Sequence, residues 1–104
     1  RDLVPSPIAV ARTIQGQSSA ELLKVLFDSG GTKTFLNSKC LPRGATSSLL
    51  KTPLQGITAA GRLTTNRIVL LHNIVLPKFS PSKKIDDQWA YVFDSDLHYD
   101  IIFG

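Results

Sequence analysis

Residues 68–76 constrain this chain more than any other stretch, because both alternating sets are apolar: Ile68, Leu70, Ile74 and Leu76 on one side, Val69, Leu71 and Val75 on the other. Half-buried strands alternate apolar with polar residues, so a run that is apolar in both registers predicts a strand covered on both faces. The run is far too short to cross a bilayer as a helix, which takes about 20 apolar residues. His72 falls inside it, with no second histidine or acid at a ligand spacing. It reads as a hydrogen-bonded structural residue rather than a metal ligand.

The neighbouring segments are also β-rich. Ile8 to Ile14 alternates, residues 15–19 form a polar turn, and residues 21–27 return as the second arm of a hairpin. Ser18 and Glu21 also fit a helix capping box, but the Gly30-Gly31 stop and the preceding hairpin favour a strand. A short helix or turn is expected around residues 37–40, closed by Pro42 and Gly44, followed by a weakly structured polar connection over 45–51. Residues 54–58 and 63–76 bracket Ala59-Ala60-Gly61, a small-residue centre where a projecting β-hairpin reverses. Residues 77–87, with two prolines, two serines and a charge cluster, read as a surface loop, and Trp89-Ala90-Tyr91-Val92-Phe93 as a strand with its aromatics on one face, in core or interface. Asp94-Ser95-Asp96 and Asp100 lack the glycine and distal glutamate of a calcium loop and read as an acidic turn.

A chain of 104 residues makes one domain with one modest core, burying roughly two-thirds of the surface of its unfolded form, so association with a second copy is expected to help it. The net charge of +4 comes from scattered residues, Lys83-Lys84 alone forming a run beside Asp86-Asp87. Without interleaved aromatics this disfavours nucleic-acid binding, and a basic RNA-binding β domain ranks third among the function classes. Cys40, the single cysteine, excludes an internal disulfide and a multi-cysteine zinc site and fits a reducing compartment, so the cytoplasm is expected. Lys39 beside it does not supply the base a nucleophile needs, and the thiol reads as a small half-buried apolar residue. The chain opens on Arg1 without a basic and apolar leader, as an excised piece of a longer polypeptide would.

The strongest chemical signal is an acid at the end of an apolar run. Leu26-Phe27-Asp28-Ser29-Gly30-Gly31-Thr32 resembles the hydrophobic, hydrophobic, Asp, Ser/Thr, Gly signature of retropepsins, the homodimeric aspartic proteases of retroviruses and gypsy-type retrotransposons. Ala59-Ala60-Gly61 resembles the tip of their flap, and Tyr99-Asp100-Ile101-Ile102-Phe103-Gly104 their closing apolar-apolar-Gly element. Asp-Ser-Gly alone also occurs as a plain turn; the order and spacing of three elements carry the resemblance. Gly31 stands where the family usually has alanine or serine, which is expected to loosen the floor of the cleft. The family also continues past the closing glycine into a short helix and often a dimerising strand, so residues 1–104 are expected to be one domain truncated at its C-terminal end.

The resemblance implies an all-β, retropepsin-like fold: a closed β-barrel half with a flap hairpin and at most one short helix. It implies an aspartic endopeptidase that processes a polyprotein, in the cytoplasm or within virus-like particles, with a second copy of itself and a polypeptide substrate as partners and no membrane. Asp28 of each chain would meet its twin across a two-fold axis, and two carboxylates about 3 Å apart share one proton. One activates water and the other polarises the scissile carbonyl. Ser29 would hold the two catalytic loops together, Gly30 would let backbone approach the substrate, Gly31 would complete the supporting loop, and Ala59, Ala60 and Gly61 would close over the substrate. No metal or organic cofactor is required. The rival class is a retropepsin-fold module that binds peptide or dimerises without cutting.

Overall fold

The computed structural model describes residues 8–19, 21–28, 30–58, 61–76, 80–94 and 98–104, the side chains of 76 and 80–84 excepted. Within these, eight strands and one short 3-10 turn account for the regular structure, and the sheet mixes parallel and antiparallel pairs. No helix among the described residues is long and apolar enough to cross a membrane.

β1 (Ile8–Ile14) ends in a turn at Gln15 and Gly16, whose φ values of 51° and 80° are the paired positive angles that a two-residue hairpin needs. Gln15 holds this conformation without being glycine because Leu70 clamps it: its N–H donates to the Leu70 carbonyl at 2.7 Å and its Oε1 accepts from the Leu70 N–H at 2.8 Å. The expected turn over 15–19 is therefore tighter than read, with β2 (Gln17–Ser18) folding straight back on β1. β3 (Leu23–Phe27) then pairs antiparallel with the start of β1, as the hairpin reading required.

β4 (Thr34–Asn37) runs into the 3-10 turn Ser38–Cys40, where Asn37 Oδ1 accepts from the Lys39 N–H. β5 (Ser48–Thr58) and β6 (Gly61–Leu76) form the long hairpin, and β7 (Ser80–Phe93) returns along β6. Two expectations fail here. The connection over 45–51 is already strand from Ser48, and the loop over 77–87 is strand from Ser80, because pairing along β6 overrides a composition poor in β-formers.

β8 (Ile101–Phe103) sits between β3, to which it is parallel, and β4, to which it is antiparallel. β4 is parallel to β7, and β1 pairs with β6 along its other edge. The pairings β1–β3–β8–β4–β7–β6–β1 thus close into a ring, with β2 and β5 as appended strands.

Double-sided coverage belongs above all to β4 and β8, in which every residue is buried. Leu36, Ile101 and Phe103 face the main core with Val25, Val69 and Leu71, whereas Phe35 and Ile102 face a second cluster with Leu63 and Phe93. β6 is covered less fully than its composition predicts. Val69, Leu71 and Ile74 are fully buried, Ile68, Leu70 and Val75 only partly, and Asn73, at a positive φ of 53°, is the exposed residue at which the buried set changes parity.

Candidate functional site

Asp28 follows β3 directly, and its backbone N–H donates to the Phe103 carbonyl at 2.7 Å. The next turn is held by the Gly31 N–H on the Asp28 carbonyl at 3.0 Å. The acid is therefore fixed from behind by β8, while its half-buried side chain faces a cleft of about 210 Å³. That cleft is lined by Asp28, Gly30, Gly31, Thr32, Lys33, Phe35, Gln55, Gly56 and Ile57. One wall is the segment between β3 and β4, and the other is the β5 arm of the long hairpin.

Three glycines allow close approaches around the cleft, and one of them, Gly56, lies between its walls. A Cβ on Gly31 would stand 3.1 Å from both Cγ and Oδ2 of Asp28, so the expected slack at this position does not exist: the acid itself occupies the space a side chain would fill. A Cβ on Gly56 would meet Cζ of Phe35 at 2.7 Å, and one on Gly104 would meet the backbone O of Lys33 at 2.4 Å. Such distances fall well inside ordinary carbon contact of about 3.5–4.0 Å. Gly104 thus lets β8 back directly against the loop that carries the acid.

Of the residues singled out in the sequence, Asp28, Gly30 and Gly31 come together here. Ser29, Ala59 and Ala60 lie outside the described residues. Gly61 opens β6 at φ +114°, its carbonyl accepting from Thr58 Oγ1 at 2.8 Å, and the ladder ends on the Thr58–Gly61 pair. Lys33, Phe35, Gln55, Gly56 and Ile57 were not foreseen as site residues. Gly56 carried the one usable signal, since a glycine within a strand marks a bulge or a close approach.

The remaining candidates have structural roles. Cys40 is buried, and its thiol is pushed up to about 12, first by burial and then by the negative charge of Asp100 and a hydrogen bond to it. A thiol that keeps its proton at neutral pH is no nucleophile. Asp100, just ahead of β8, ties two strands, β3 and β4: Oδ2 accepts from the Lys24 N–H at 2.9 Å, its own N–H donates to the Lys24 carbonyl at 2.9 Å, and its carbonyl accepts from the Asn37 N–H at 2.8 Å. His72 Nδ1 lies 2.6 Å from Oδ1 of Asp87, its cross-strand neighbour, as a structural histidine would. Asp94, at the expected acidic turn, accepts twice from Arg67 Nη2, at 3.1 and 3.2 Å.

Compared with models of protein families, with curated proteins and with solved structures, the chain matches none.

Proposed function

We propose that this chain is one half of a homodimeric, retropepsin-like aspartic endopeptidase, with Asp28 as its catalytic acid. The observation that carries the reading is the placement of Asp28: an anchored backbone, a half-buried carboxylate, and an open cleft beneath a long hairpin. The insertion of β8 between β3 and β4 supports it, because two of the segments that carry the resemblance then meet, the Phe103 carbonyl accepting from the Asp28 N–H. Phe27, one residue before the acid, is 39% exposed and stacks on Phe103, the ring centroids 6.3 Å apart.

In the dimer the ionised Asp28 takes a proton from water as the water oxygen bonds to the scissile carbonyl carbon, and the protonated Asp28 donates to the carbonyl oxygen. The resulting diol collapses as the C–N bond breaks and a proton passes to the leaving nitrogen. No further group is consumed. Exclusion of water by a bound peptide would strengthen both hydrogen bonds.

The test is Asp28→Asn, which keeps the shape and removes the acid. Peptide cleavage by the parent chain, inhibited by a pepstatin-type compound, is expected to vanish in the variant while its urea midpoint stays the same. Equal cleavage by both proteins refutes the reading. Should the parent bind peptides yet never cut them, the non-cutting module takes its place.

A further inference from the structure

We propose that Lys33 makes the Asp28 cleft selective for an extended peptide carrying aspartate or glutamate close to the bond presented to Asp28. This rests on reading the cleft as a peptide site.

Asp28 and Lys33 are the two charged residues of the lining; the others are glycine, threonine, phenylalanine, glutamine and isoleucine. Asp28 has its own work. Lys33 is exposed, and among the described residues its ammonium has no ion-pair partner; what sets it apart from the other unpaired cations is its place in the lining of the cleft. Its backbone is nevertheless fixed. Thr34, the next residue, is buried and opens β4, and Gly104 packs against the Lys33 backbone so closely that a Cβ there would lie 2.6 Å from its N and 2.4 Å from its O. A cation held at the rim of a small cleft, unpaired among the described residues, attracts a carboxylate brought in by the ligand and penalises a second cation.

Because Lys33 is exposed, the effect is modest. A partly solvated ion pair is worth up to about 1 kcal/mol, or roughly fivefold in affinity, and salt weakens it.

The experiment uses the full chain carrying Asp28→Asn, which binds without cutting, and pools of short labelled peptides in which one glutamate, glutamine or lysine is walked through a randomised apolar background. By fluorescence anisotropy the glutamate pool is expected to bind about fivefold more tightly than the glutamine pool. Lys33→Gln should erase that preference and Lys33→Glu should turn it toward the lysine pool. The same pools given to the chain with Asp28 intact report cleavage separately. A glutamate preference that depends on Lys33 without any cleavage sinks the endopeptidase reading and leaves the selectivity standing. Cleavage without charge preference, or a preference that survives Lys33→Gln, overturns the role of Lys33. Neither binding nor cleavage overturns both.

Discussion

Replacing Gly56 by alanine tests whether the hairpin and the floor of the cleft are in direct contact. The new methyl would lie 2.7 Å from Phe35 Cζ and 3.3 Å from Cε2, about 1 Å short of comfortable carbon contact at the nearer atom. Phe35 has little room to retreat: it is 3% exposed, its ring centroid is 5.8 Å from that of Tyr91, and it packs with Leu63, Phe93 and Ile102. Overpacking of this kind costs about 1–3 kcal/mol. Losing glycine's freedom in the unfolded chain returns about 0.4–1 kcal/mol, since the φ of Gly56 is not positive. The expected net loss is about 1–2 kcal/mol, which lowers Tm by about 4–8 °C per kcal/mol in a domain this size. Urea and thermal melts of Gly56→Ala measure it, and Phe35→Leu supplies the control because leucine has no atom at the Cζ position. In that background the alanine should cost about 1 kcal/mol less. A Gly56→Ala protein as stable as its parent, or an identical cost with and without the Phe35 ring, refutes the contact.

Other expectations concern the acid and its supports. Gly31→Ala puts a methyl 3.1 Å from the Asp28 carboxyl group, and the half-buried side chain can turn away by a few tenths of an ångström. Stability should hold while kcat for peptide cleavage falls about tenfold, and an unchanged kcat contradicts this. Asp100→Ala strips the Lys24 N–H of its carboxylate acceptor and should cost about 1–3 kcal/mol in a urea melt, with Asp100→Asn recovering most of it. Equal melts for Asp100→Ala and the parent argue against the tie. At Cys40 the folded chain holds the thiol proton up to about 12 against an ordinary 9.0, so the unfolded chain releases its proton first as pH rises. The stability contribution is complete below 9 and is lost between 9 and about 12. Iodoacetamide labelling near neutral pH should track global unfolding, and rapid labelling of the folded protein would count against the buried thiol.

How much of this was legible in the sequence depended on range. The hairpin arms around Gly61 and the antiparallel return of Leu23 and Lys24 on β1 were readable, because apolar runs bounded by turn residues are local signals. The β-rich class followed from them. The first half of β7 was not readable, since serine, proline and lysine there become strand only through the ladder with β6. Nor was the position of Ile101-Ile102-Phe103, where three consecutive apolar residues announce burial but not the two strands that receive them. At the site, Asp28 was marked by its neighbours in sequence. Lys33, Gln55 and Ile57 were not, because what gathers them is the approach of two distant walls.

The strand that completes the ring, β8, follows in sequence both of the strands that receive it. Until residues 101–103 leave the ribosome, β3 and β4 each present a raw edge that nothing earlier in the sequence is placed to cover. Until β8 is made a nascent chain therefore stays an open, self-adhesive sheet, and folding must await an insertion rather than proceed by accretion. The same interlock makes those residues a poor place to trim: deleting them would not shorten the ring of strands but unzip it, and would cast Asp28 loose at the same stroke.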